Sequence, residues 1–159
     1  MEQSPKFNFR PAGAHDEDIL LKWRNDADTR AMSFSTEIVT PEQHHTWFSR
    51  SLRSPNRKLL IGLLENALVG TVRFDMFPDG SSAEISVTLA PDMRGRHLSG
   101  LLIKFSCDYY FESLGRRIPI KAEIKPGNTK SIRAFEYAGF KFVNRVEGHL
   151  EYLLQASVG

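Results

Sequence analysis

A chain of 159 residues with 41% hydrophobic side chains is sized for one globular domain, 1–159, with a core of its own. Its formal net charge of only +2 argues against a broad basic surface for nucleic acid, and no run is long and apolar enough for a membrane span. Cys107 stands alone and cannot close an internal disulfide, and the N-terminal stretch has no apolar run of leader type, so a cytoplasmic setting is expected.

Phe7 and Phe9 alternate with polar neighbours ahead of Pro11, the pattern of a first strand. Asp16, Glu17 and Asp18 suit the positive end of a helix carrying Ile19, Leu20 and Trp23, which runs out near Arg24, Asn25 and Asp26. In Thr40-Pro41-Glu42-Gln43, Thr40 can cap, Pro41 fits the first helical position and Gln43 completes a capping box. The helix that follows sets His44, Trp47, Phe48, Ser51 and Leu52 near one face. Lys58–Leu64 and Leu68–Asp75 are β-like runs joined by Glu65-Asn66-Ala67, a hairpin; Pro78-Asp79-Gly80 then turns the chain into Ser82–Leu89.

The next stretch combines a strand, a basic turn and a helix start. Ile85, Val87 and Leu89 alternate as on a half-buried strand, and Pro91 stops the ladder because it has no N–H to donate. Arg94-Gly95-Arg96 leads into Leu98–Leu114, helical in spacing and apolar almost all round, with Gly115 as its stop. A helix N-terminus with free N–H groups and flanking cations can hold a pyrophosphate. An ordinary turn with two solvated arginines reads equally well from these residues alone. Ile118–Ile124 is a strand whose helical crossover predicts a parallel partner. Asn128 can cap a helix over Thr129–Ala138 that stops at Gly139, and Phe140–Val146 with His149–Leu154 forms a closing hairpin around Glu147-Gly148.

This order of elements resembles the GCN5-related N-acetyltransferase superfamily over nearly the whole chain. The resemblance is carried by Arg94-Gly95-Arg96-His97-Leu98-Ser99-Gly100 and by Asn128-Thr129-Lys130-Ser131 through Phe135-Glu136-Tyr137-Ala138-Gly139-Phe140. It implies an α+β fold: a central mixed, mostly antiparallel sheet of six to seven strands with about four helices. It also implies acetyl-CoA as acetyl donor and no metal. Val87, Thr88 and Leu89 would offer backbone N–H groups to pantetheine and the thioester carbonyl. The backbone of Met93, Arg94, Gly95, Arg96, His97, Leu98, Ser99 and Gly100 would hold the pyrophosphate. Asn128 would hydrogen-bond the pantetheine arm, with Ser131 and Phe135 on its helix also at the cofactor. Two residues depart from the family pattern Arg-Gly-x-Gly-x-Gly: His97 and Ser99 fill the later glycine positions. Phe135 stands where the family carries a tyrosine acid for the leaving thiolate. Tyr137 is turned about 200° further around the helix and does not replace it.

Attack of an amine on a thioester needs a bound carrier, donors around the carbonyl and a proton acceptor. Glu84 leads its strand with the facing of Ser86 and Thr88 and is the first candidate base; a strand-edge glutamate without a role is the alternative. His44 is the second candidate, by its titration range. The segments Trp23-Arg24-Asn25-Asp26 and His44-His45-Thr46-Trp47-Phe48 look like the branch that acetylates nucleotide-activated aminodeoxy sugars, as in pseudaminic acid synthesis. Trp23 or Trp47 could stack on a base or sugar, and Arg24 or Arg30 could meet the diphosphate, with Asn25, His44 and Ser86 nearby. Core packing of both tryptophans and a helix-capping Arg24 are the competing readings. The expectation is direct acetyl transfer to a small primary amine, that of a sugar nucleotide. The alternatives are a ribosomal-protein-type N-terminal acetyltransferase and a non-catalytic acyl-CoA-binding module. A homodimer is left open.

Overall fold

The computed structural model describes residues 6–156, so the reading of the first few residues lies outside it. Strands β1 (Phe7–Pro11), β2 (Arg57–Leu64), β3 (Ala67–Met76), β4 (Ala83–Leu89), β5 (Ile120–Ile124), β6 (Lys141–Val146) and β7 (His149–Leu154) form one sheet ordered β1-β2-β3-β4-β5-β7-β6. Every neighbouring pair is antiparallel except β4 and β5, which run parallel. This is the mixed, mostly antiparallel sheet expected of the family. The β2–β3 hairpin closes through Glu65 and Asn66 with φ of 49° and 72°, the doubly left-handed turn that matches strand twist.

Five helices accompany the sheet: α1 (Glu17–Asn25), α2 (Ala27–Met32), α3 (Pro41–Arg53), α4 (Ser99–Asp108) and α5 (Thr129–Tyr137). The sequence pattern missed α2, which buries no residue and so carries no apolar period. Asp26 ends α1 and caps α2 by accepting from the Thr29 N–H. The capping box predicted at α3 forms, Thr40 and Gln43 each accepting the other's backbone N–H. The predicted single helix Leu98–Leu114 is corrected: regular α-helix ends at Asp108, and Tyr109–Ser113 continues as a π-helical turn. The wider turn keeps both Tyr110 and Phe111 buried, with Tyr110 stacked on Phe74 at 4.2 Å between centroids.

Strand alternation divides the core between the two faces of the sheet. On one face Leu60, Val72, Phe74, Ile85, Ile120, Ala122 and Tyr152 pack under α4 and α5, against Leu102, Ile103, Cys107 and Phe135. On the other, Leu59 and Ile61 pack under α1 and α3, against Leu20, Trp23 and Phe48. Full burial of a side chain such as Phe74 or Phe48 contributes roughly 1.5–3 kcal/mol. Beyond β2 the second core reaches only Leu68 of β3 and, after β4, Ala90 and Met93, which leaves Thr71, Arg73, Asp75, Glu84, Ser86, Thr88, Lys121, Glu123 and Glu151 on the same face of the sheet. No helix among the described residues is long and apolar enough to cross a membrane.

Candidate active site

Strands β4 and β5 share only two register pairs, Ala83↔Ile120 and Glu84↔Lys121, and then part. β4 stays paired to β3 as far as Leu89, so its other edge is bare from Ser86 onward. Ala83 donates its N–H toward Pro119 on the β5 side at 2.9 Å. Because successive N–H groups of a strand point to opposite edges, Val87 and Leu89 aim theirs into the opening while Thr88 faces β3. The opening therefore has two donors on one wall without a partner among the described residues. Asn128 follows β5 on the other wall, where its side-chain oxygen accepts the Ser131 N–H at 3.2 Å.

The basic turn closes the end of this opening. Ala90 hydrogen-bonds back to Val69, Pro91–Met93 make a short 3₁₀ turn, and α4 begins at Ser99. Leu98 in the cap position supplies no side-chain hydrogen bond, and the first intrahelical bond is Leu102 N–H to Leu98 carbonyl. The N–H groups of Ser99, Gly100 and Leu101 are thus unclaimed among the described residues at the positive end of the helix. Gly95 and His97 both lie at positive φ, 79° and 56°. Gly100 serves packing: a Cβ there would sit 2.6 Å from Tyr137 Cδ1, so its glycine lets α5 lie against α4. The Arg94 guanidinium is bound to Asp26, with Thr29 Oγ1 at 2.9 Å, and Arg96 Nη1 lies 3.6 Å from Met93 Sδ.

Glu84 is half-buried on the polar face, opposite Asp75 across β3–β4. Burial pushes its carboxyl above the usual glutamate range, and the neighbouring Glu123 and Asp75 charges push the same way. Asp75 accepts from Arg57 and Arg73, and Arg73 also donates to Ser86 Oγ at 3.1 Å. Both guanidiniums lie 5.8 Å from the Trp47 ring centroid.

A bare strand edge beside an uncapped helix N-terminus, with a half-buried carboxyl at the mouth, is a geometry that suits acyl transfer. A family model for the acetyltransferase (GNAT) domain matches residues 6–141. The chain belongs to the GNAT acetyltransferase family. As a GNAT protein it is an acetyl-CoA-dependent N-acetyltransferase, with acetyl-CoA as acetyl donor. A search of curated proteins finds no match. Among solved structures, spermidine N-acetyltransferase from Vibrio cholerae, in complex with CoA and spermine, superposes with a TM-score of 0.79 at 16% identity over 92% of each chain. N-acetyltransferase PseH from Campylobacter jejuni, in complex with acetyl coenzyme A, gives 0.73 at 16% identity, over 96% of this chain and 100% of that one. A domain from Methanocaldococcus jannaschii gives 0.79 at 23% identity, over 95% and 99%. At such identities the likeness is one of fold.

Within the GNAT frame the other predicted residues are distributed differently from the sequence reading. Trp23 is 4% exposed in the second core, as its competing reading held. Arg24 donates to the Ser35 carbonyl at 2.9 Å, Arg30 to the carbonyls of Asn25 and Thr36, and Asn25 clasps Val39 through both backbone groups. These three residues lash the α2–α3 connection to α1. His44 is buried between Trp47 and Phe48 with Nε2 3.1 Å from the Glu17 carbonyl, which clamps α3 to α1. Phe135 is 6% exposed and packs edge-on against Phe140. Sequence reasoning missed the acidic end of the polar face. His149 Nε2 is buried without a hydrogen bond among the described residues, 3.5 Å from Glu123 and 3.7 Å from Glu151. Phe34 from the α2–α3 connection lies edge-on to this imidazole at 5.9 Å. Alternation alone would have put Glu123, His149 and Glu151 on the Glu84 face; the antiparallel pairing of β5 with β7 was the missing link.

Proposed function

We propose that this GNAT enzyme acetylates the primary amine of a nucleotide-activated aminodeoxy sugar by direct transfer. The observation that carries the transfer step is the parting of β4 from β5 immediately after Glu84. The thioester carbonyl lies against the Val87 and Leu89 N–H groups, the pyrophosphate on the backbone of Met93–Gly100, and the pantetheine arm beside the Asn128 amide, whose NH₂ is left free by the cap. Glu84, directly or through water, takes a proton from the acceptor ammonium. The neutral amine then attacks the carbonyl carbon, the C–N bond forms, the attacking nitrogen gives up its second proton to solvent, and the C–S bond breaks to release the CoA thiolate. With Phe135 in the tyrosine position, no side chain at that point of α5 supplies the thiolate's proton, and solvent does so. The lone buried Cys107, its thiol pushed up by burial, suits a cytoplasmic enzyme.

A second reading, a peptide N-terminal acetyltransferase, is favoured by Glu123, whose charge acts on Glu84, and by Glu151 across from it on β7, since a carboxylate lip attracts a cationic acceptor. A thiol-release assay with acetyl-CoA and a panel of amines separates the two. Turnover confined to an amino-sugar nucleotide supports the proposal. Turnover with a peptide N-terminus and none with the nucleotide overturns it.

A further inference from the structure

Arg57, Asp75 and Glu84 form a cross-strand row on β2, β3 and β4, since Arg57↔Asp75 and Asp75↔Glu84 are register pairs. With strands ~4.8 Å apart, Arg57 stands roughly 10 Å from Glu84 on the same face. Two open hollows border the row. One, of about 490 Å³, is lined by Gln43, Thr46, Trp47, Arg50 and Arg57. The other, of about 410 Å³, is lined by Arg50, Ser54, Asn56, Arg57, Asp75 and Met76. Arg50 and Arg57 therefore belong to both. Asp75, on the wall of the second hollow, is shared between the Arg57 and Arg73 guanidiniums, and Arg50 lines the same hollow without pairing to it. Arg57 spends Nε on Asp75 and Nη1 on Ser51, leaving Nη2 without a partner among the described residues. Arg50, exposed on the last turn of α3, makes no hydrogen bond or ion pair among the described residues.

We infer that the Arg50–Arg57 hollow binds a phosphate group carried by the acceptor while the acceptor's amine meets Glu84. A guanidinium pair left with unused donors is the chemistry that recognises a phosphate. The ~10 Å span from Glu84 suits an amine on a sugar ring whose anomeric oxygen carries a diphosphate, with the nucleoside continuing along Trp47. Arg24 and Arg30 hold the backbone carbonyls of Asn25, Ser35 and Thr36, with Arg24 Nη1 buried without a partner among the described residues, so the role passes from them to Arg50 and Arg57, which open onto the hollow. The inference rests on the amine-acetylation reading above and adds to it where the anionic half of the acceptor lies.

The test is binding of UDP to the full chain saturated with CoA, followed by calorimetry and by the fluorescence of Trp47. Arg50→Gln is expected to weaken UDP binding about tenfold or more while leaving the CoA affinity unchanged. Arg57→Lys, which keeps the charge but loses the fork, serves as a second variant. No UDP binding, binding unaffected by Arg50→Gln, or UDP that competes with CoA for one site would each overturn the inference. If UDP binds through Arg50 and yet no amino-sugar nucleotide is acetylated, the phosphate subsite stands and the acceptor reading falls. If such a nucleotide is acetylated equally by the Arg50→Gln enzyme, the acceptor reading stands and the subsite falls.

Discussion

His97 explains in one residue why the family pattern prefers glycine there. Its φ of 56° is left-handed, a conformation that costs an L residue roughly 1–2 kcal/mol. Glycine removes that strain but loses ~0.4–1 kcal/mol through the freer unfolded chain. His97→Gly is therefore expected to stabilise the fold by a net ~0.5 kcal/mol; a lower melting temperature than wild type would contradict this account. Glu84 gives the second prediction. Its raised carboxyl is a better proton acceptor than an ordinary glutamate but protonates earlier as pH falls. Glu84→Gln should reduce kcat/KM by on the order of 10²-fold near neutral pH. The gap should close at alkaline pH, where the amine is already neutral. A constant ratio across the pH range would remove Glu84 as the base. The facing of Glu84 was legible in the sequence because alternation is local. The roles of Arg24, Arg30 and Asn25 were not, because their partners are carbonyls of a connection whose path no local pattern encodes.

Among the elements, the seven strands and four of the five helices followed from period, caps and turn residues, while α2 left no apolar signature. The parallel β4–β5 pair was legible from the crossover, but its early parting has no local signature in the sequence. The tie between the basic turn and the α1–α2 corner was not legible at all. Arg94 and Asp26 are separated by 68 positions in the chain and meet only through the fold. Their pair is partly shielded from water, which makes it worth more than an exposed one. Arg94→Gln is expected to cost about 1 kcal/mol of stability and to raise KM for acetyl-CoA severalfold by releasing the turn. Asp26→Asn keeps a helix cap but loses the charge, so it isolates the ion pair. If it leaves both quantities at wild-type values, Arg94 acts through the cofactor and not through the corner.

For the whole molecule, pH adds up these local environments with opposite signs. The Arg10 guanidinium beside Asp16, and Arg94 beside Asp26, hold both carboxyls below the usual range. Their stabilisation is present above the unfolded carboxylate pKa and is lost as pH falls through the lower folded values. His44 is depressed by burial, so below its ordinary value of 6.5 the unfolded chain binds a proton that the folded chain refuses. Its contribution to stability is therefore lost first on acidification. Glu84 is raised by burial and works the other way: the folded state holds its proton longer, and stability falls as pH rises through that folded value. The melting temperature should accordingly decline between pH 7 and 5, with His44 as the main cause. His44→Gln keeps a donor for the Glu17 carbonyl and removes the titration, so its curve should be flatter over that window even if it melts lower throughout. Glu84→Gln should steepen the decline, since it deletes an opposing contribution on the polar face of the sheet. Parallel curves for wild type and His44→Gln would place the pH sensitivity elsewhere than in the clamp between α1 and α3.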